Sequence, residues 1–235
     1  MFAMPSTSAD LGIHLLAIET SGSVCSVCLL RDNRMLAEYT LDEPNVHDRM
    51  LATLVERVLS ETSSRADLLS AIAVSAGPGS FTGLRIGFAF AKGMCLASNI
   101  AFIPVPTLEA CAGAAVPIAR MLHDCDIAAV IHARDDRWYA QHFSAEGQPL
   151  TEPYLTDSTS LQQRILTQTL LCGPGAAAFR QGLHVPGLER LTARFIARQA
   201  LEYFRQGRFA DPSTATPLYL EEFVPRRTAV IHPPL

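Results

Sequence analysis

Ala71-Ile-Ala-Val-Ser-Ala-Gly-Pro-Gly-Ser-Phe-Thr-Gly-Leu-Arg-Ile-Gly-Phe-Ala-Phe-Ala-Lys-Gly-Met-Cys-Leu-Ala-Ser98 decides the fold. A short apolar run enters Gly77-Pro78-Gly79-Ser80, which cannot continue a strand and can turn the backbone into a helix. Ser80 or Thr82 supplies the cap, and the free amides behind it offer a place for an anion. Gly77 and Gly79 either cradle that anion or only turn the chain, and the residues leave both readings open. Gly77, Gly79 and Gly83 are spaced one residue too widely for a dinucleotide fingerprint, and no Gly-Lys-Ser/Thr follows, so neither known phosphate-loop motif is present.

The helix that follows has almost no polar face. Over residues 84–97 only Arg85 and Lys92 are charged, and Lys92 interrupts the apolar run well short of the ~20 residues a membrane span needs. A helix apolar all round is covered on more than one side. Gly83, Gly87 and Ala91 stand four apart and predict a smooth ridge on which a second helix backbone can lie. The favoured cover is the chain's own sheet on one side and another protein on the other. On that reading Gly87→Leu abolishes partner binding and leaves the monomer folded.

Outward from this stretch, the 235 residues are apolar-rich and carry a net charge of −4, with no basic run beyond Arg226-Arg227. That composition argues against a protein whose main task is gripping a nucleic-acid backbone. Cys25 and Cys28 imitate a metal or redox pair, but they fall on an alternating strand and point to opposite faces. The six cysteines read as small core hydrophobes. Residues 1–10 have no basic segment or small-residue cleavage site and do not read as a signal peptide, which predicts a reduced cytoplasmic location.

Residues 14–20, 24–30 and 35–41 predict a three-strand meander turning at Asp32-Asn33. Glu19, Thr20 and Ser21 end its first strand as vestigial phosphate-loop candidates, with Glu19 facing a metal and phosphate or pairing with Arg85; the pairing is favoured. Pro44 and Asn45 precede a helix over 47–61. Its His47 has Leu51 four residues on, where a metal site would place a second ligand, so His47 reads as a cap or surface residue. A strand follows at 101–105, with Pro104 and Pro106 marking either a boundary at its end or a place near an edge. A helix over 107–121 is expected to be capped by Thr107 and interrupted or kinked at Pro117. Residues 127–133 and 138–144 repeat the hairpin of the first half around Arg134-Asp-Asp-Arg137, which hints at a duplicated α/β unit. A short strand then meets Gly173-Pro174-Gly175, and 192–208 is an amphipathic helix with Phe195, Ile196, Gln199, Ala200 and Tyr203 along one side.

Leu16-Ala-Ile-Glu-Thr-Ser21 with Cys25-Ser-Val-Cys-Leu29, His47, Gly77-Pro-Gly-Ser-Phe-Thr-Gly-Leu-Arg-Ile-Gly87, Ile131 and Ala133-Arg134 with Tyr139, and Pro217-Leu-Tyr-Leu220 resemble the TsaB (YeaZ) family. The resemblance implies two related α/β domains of the actin-like, sugar-kinase-like (ASKHA) type, mixed sheets flanked by helices. They would span 1–106, carrying the partner helices, and a smaller 107–235 whose last helix and tail return to the first. It implies a non-catalytic subunit in tRNA N6-threonylcarbamoyladenosine synthesis, paired with a TsaD-type transferase and assisted by a TsaE-type ATPase. Contact with tRNA would come through that complex.

The helices at 47–61 and 82–98 would meet their counterparts in the partner, with His47, Met50, Leu54, Gly83, Arg85, Gly87, Phe90, Ala91 and Met94 at the interface. The family's catalytic paralogue holds metal through two histidines four apart; with Leu51 in the second place, no metal and no catalytic residue is assigned here. The isolated chain is expected to hold no cofactor tightly. Self-pairing when alone and a nucleotide at the shared interface stay open. His132 and Arg137 stand where the family carries acidic residues, so no site is transferred to that hairpin. A sugar-kinase-type phosphotransferase is the competing function, since Glu19-Thr-Ser21 and two glycine turns would suit one; a metallopeptidase fails for want of a second ligand to His47.

Overall fold

The computed structural model describes residues 12–43 and 45–220. The expectations for residues 1–10, for Pro44 and for the tail beyond Leu220 fall outside the described residues. Strands β1 (His14–Glu19), β2 (Val24–Arg31) and β3 (Arg34–Asp42) form the meander, and β4 (Ala71–Ser75) and β5 (Ala101–Val105) complete a five-stranded sheet in the order β3-β2-β1-β4-β5. β1 runs antiparallel to β2 and parallel to β4. β5 is the edge strand that its prolines predict.

The second sheet repeats the plan. β6 (Ile127–Arg134) is antiparallel to β7 (Arg137–Phe143) and parallel to β9 (Leu170–Cys172), and β8 (Tyr154–Asp157) extends it to β8-β7-β6-β9. Duplication is therefore a property of strand order as well as of hydrophobic pattern.

Helices fill the spaces in layers. α1 (His47–Glu61) and α2 (Phe81–Ser98) cover the outer face of the first sheet, where Leu51, Leu54, Val58, Phe88 and Ala91 bury Leu16, Ile18, Val27, Ile72 and Val74. α3 (Thr107–Met121) and α5 (Ala193–Arg205) stand between the sheets in one continuous core with Leu15, Ala17, Cys28, Ile127, Ala129 and Ile131. α4 (Ser158–Arg164) closes the far side through Leu161. Strand alternation sorts the cysteine pair as expected: Cys25 joins the outer core and Cys28 the inner one. Burial pushes their thiols up to about 11 and about 12, as suits core hydrophobes. All six cysteines are free and buried.

Two end effects differ from expectation. Thr107 does not cap α3. The cap position is Pro106, and Thr107 is turned inward, its hydroxyl accepting from Gly77 N at 3.0 Å while its own N–H donates to Gly77 O at 2.8 Å. The start of α3 thus fastens the glycine loop. The same helix is not interrupted at Pro117 and runs on to Met121, because a proline this close to the C-terminal end costs only one backbone bond of the last turns.

Candidate functional site

The loop between β4 and α2 is built against the end of β1. Gly77 adopts φ +100°, a left-handed conformation that glycine alone tolerates easily, and the Leu218 carbonyl lies where a side chain would project. Ser80 is the residue that caps α2, its hydroxyl accepting from Gly83 N at 3.2 Å. Thr20 hydroxyl donates to Gly83 O at 2.9 Å, and Ser80 N donates to Ser21 O at 2.7 Å. Ser21 turns both its N–H and its hydroxyl back onto Glu19 Oε1 at 2.5 Å.

Glu19, Thr20 and Ser21 are accordingly all buried, Thr20 and Ser21 joining β1 to α2 while Glu19 holds Ser21. Glu19 is 1% exposed and its Oε2 has no partner among the described residues. Burial, only partly offset by the Ser21 hydrogen bonds, raises this carboxyl to about 7.

The pairing of Glu19 with Arg85 does not form. Glu19 shares the face of β1 that carries Leu15 and Ala17, turned to α3 and α5, whereas α2 lies on the opposite side of the sheet. Arg85 is exposed instead, with its guanidinium 3.8 Å from the centre of the Phe81 ring.

The glycine ridge also faces the other way. A Cβ on Gly83 would strike the Thr20 carbonyl, and one on Gly87 would strike the Thr20 hydroxyl and lie 3.1 Å from Val74 Cγ2. Gly83, Gly87 and Ala91 let α2 approach its own sheet closely, and they are buried there. Periodicity shows that three small residues share a face, but cannot say which neighbour that face meets. His47 is likewise neither cap nor surface residue: α1 begins after Val46, and the His47 ring is buried with Nε2 3.2 Å from Val24 O. Leu54 is buried as well.

Of the interface candidates, Arg85 is exposed and Met50, Phe90 and Met94 are half-buried. Sequence reasoning missed Ala89, Gly93 and Leu96, which form the exposed side of α2; Leu96 is 60% exposed. Their signal was available, since these residues lie across the helix from Gly83, Gly87 and Ala91. Beside them Phe88, Ala89, Lys92, Pro217 and Tyr219 line an apolar recess of about 550 Å³.

At the second hairpin the His132 ring bonds the Asp135 carbonyl at 2.9 Å and meets the Trp138 ring at a tilt of 57° with centroids 4.6 Å apart. Among the described residues no group of three or more His, Cys, Asp or Glu is placed to hold a metal, and no helix is long and apolar enough to cross a membrane.

Residues 43–161, just over half the chain, match the family model described as "TsaD: tRNA N6-adenosine threonylcarbamoyltransferase". The chain is 35% identical over 96 residues to the tRNA threonylcarbamoyladenosine biosynthesis protein TsaB of Escherichia coli K12, covering 41% of each chain. It is 32% identical over 128 residues to the protein of the same description from Haemophilus influenzae, covering 54% of this chain and 52% of that one. These matches therefore span about half the length of the curated relatives. The solved structure of YeaZ from Pseudomonas aeruginosa superposes with a TM-score of 0.75 at 24% identity, over 88% of this chain and 100% of that one, a likeness of fold. The chain belongs to the tRNA N6-adenosine threonylcarbamoyltransferase family, on its TsaB/YeaZ branch.

Proposed function

We propose that this chain is a non-catalytic subunit in the synthesis of N6-threonylcarbamoyladenosine at position 37 of tRNA, where it binds and activates a TsaD-type transferase with a TsaE-type ATPase assisting. The observation that carries this reading is α2: its small-residue side is used up on the chain's own sheet, while Ala89, Gly93 and Leu96 stay open and Phe90 and Met94 half-buried. An apolar strip of this kind is what a protein partner would cover. The internal use of Glu19, Thr20 and Ser21 supports a supporting rather than a phosphotransfer role for the loop. Within this scaffold, residues 1–106 carry the partner helices and 107–235 form the second half.

The test is reconstitution with the TsaD-type paralogue, the TsaE-type ATPase, tRNA, ATP and the threonylcarbamoyl precursors. Omitting the chain is expected to remove most modification, and Ala89→Arg with Leu96→Glu to weaken the complex at least tenfold in sedimentation without moving the melting temperature. Full modification without the chain overturns the reading. Turnover of Mg-ATP onto a small molecule by the chain alone would establish a kinase instead.

A further inference from the structure

We propose that the recess on the flank of α2 away from α1 is an anchor socket for the transferase partner. A helix of that partner seats one large apolar side chain in it and sets a carboxylate, one turn away, against Arg85. The shape of the socket belongs to this chain; that the occupant is the transferase rests on the function proposed above.

α2 has two flanks and a crest. Ile86, on one flank, lines a recess with His47 of α1, and Phe90 and Met94 follow it at four-residue steps, half-buried. Phe88 and Lys92 lie on the other flank, where residues 215–219 run alongside. Ala89, Gly93 and Leu96 form the exposed crest between the two. A contact made only of the helices over 47–61 and 82–98 leaves the second flank uncovered.

The segment that makes the far wall is fixed in place. Leu218 N donates to Ala76 O at 2.7 Å, Lys92 Nζ donates to Ala215 O at 2.8 Å, and the Tyr219 ring lies 5.1 Å from that of Phe81. The recess of about 550 Å³ is therefore formed before anything enters it, and ordering its walls is not a cost of binding. Leu96 on the α2 wall is 60% exposed and Tyr219 on the far wall 39%. Two large apolar side chains on opposite walls stay in water until a third group comes between them.

The chemistry of the walls selects the occupant. A small-molecule pocket carries a few convergent polar groups that orient its ligand. Here Lys92 is already bonded to Ala215 O and lies in the field of the Asp211 carboxylate, and the surface that remains is mainly apolar, which suits a side chain delivered by a protein. Ala89 and Gly93, small and four apart on the crest, let a helix backbone come close enough for its side chain to reach the recess. Arg85 at the rim is exposed, lies over the Phe81 ring and has no carboxylate partner among the described residues. Residues 81–98 hold Arg85 and Lys92 and no acidic residue, so a second copy presenting the same surface would bring like charge to like. The carboxylate has to come from a different sequence, on a helix where apolar and acidic residues three or four apart share a face.

The test is the affinity of the full chain for the TsaD-type paralogue, measured by titration calorimetry across a range of salt concentrations, with a melt of each variant. Gly93→Leu builds a side chain into open space and fills the recess from α2, while Thr216→Glu sets an acid on the far wall, where it competes for Arg85. Each is expected to weaken the complex at least tenfold in a chain whose melting temperature is not lowered, since Gly93 and Thr216 are exposed and leucine is the better helix former. Arg85→Gln is expected to weaken it about fivefold and to flatten its salt dependence, as loss of one exposed ion pair would. Arg180→Gln, an exposed arginine of the second half, is expected to leave both within twofold. If the complex forms and Thr216→Glu binds within twofold of the parent, the partner stops at the crest: the socket falls and the function stands. No complex with the parent chain overturns both. A salt dependence that survives Arg85→Gln also overturns the proposal. So does a gain in affinity from Phe223→Glu, which would make the chain's own tail the occupant, or a dimer of the chain alone that Thr216→Glu dissolves, which would make it a second copy.

Discussion

Gly83→Ala is expected to destabilise the isolated chain by about 3 kcal/mol or more, lowering its melting temperature by about 10 °C. The added methyl would fall on the Thr20 backbone carbonyl, which cannot swing aside as a flexible side chain would. That carbonyl belongs to the residue whose hydroxyl is hydrogen-bonded to Gly83 O, so moving α2 away from β1 would stretch a buried bond as well. Gly87→Leu acts at the same seam, against Thr20 and Val74, and is expected to prevent stable folding rather than to spare the monomer and break a partner contact. Ala89→Arg, on the open side of the same helix, is the counterpart that leaves the melting temperature where it was. Circular dichroism melts of the three variants decide the matter, and a Gly83→Ala melting temperature within about 2 °C of the parent would place α2 farther from β1 than described.

Glu19→Gln is expected to stabilise the chain at pH 8 by about 3 kcal/mol and to have little effect near pH 4.5. The carboxyl is raised by burial from 4.5 to about 7. Below pH 4.5 the folded and unfolded chains both hold its proton. Between 4.5 and about 7 the unfolded chain releases that proton while the folded chain keeps it, so the stability this group contributes at acid pH is lost as the pH rises through the folded value. Above that window the buried carboxylate is ionised and the loss is complete. Glutamine resembles the protonated acid and escapes the change. His14, whose pKa is lowered by burial and then by Arg31, works in the opposite sense below pH 6.5, but it is common to both chains and cancels in their difference. Denaturant midpoints of the two proteins at pH 5 and pH 8 measure the effect; an equal difference at both would show that Glu19 is not held as a neutral acid.

The buried carboxyl illustrates where reading from residues runs short. An acidic residue at the end of an apolar strand announces that it needs a partner, and Arg85 is the cation nearest in the motif. Whether the two meet depends on which side of the sheet each occupies, and that is settled by how α2 and α3 close over opposite faces. Ser21, two residues away, donates twice to one carboxylate oxygen and leaves the other without a partner among the described residues.

What the residue order determined by itself was everything set by local periodicity and turn chemistry. It specified the meander through Asp32-Asn33, the strand, glycine turn and capped helix of the central stretch, the opposed cysteines of β2 and the repetition of the hairpin in the second half. Side-chain period and the conformational limits of glycine and proline act within a few residues and need no partner to be legible. Only tertiary structure decided which neighbour the small face of α2 would meet, and that Thr107 would fasten Gly77 and not cap its own helix. Those outcomes depend on contacts between segments far apart in the chain, and an apolar, small or charged residue shows what kind of neighbour suits it without naming which one arrives.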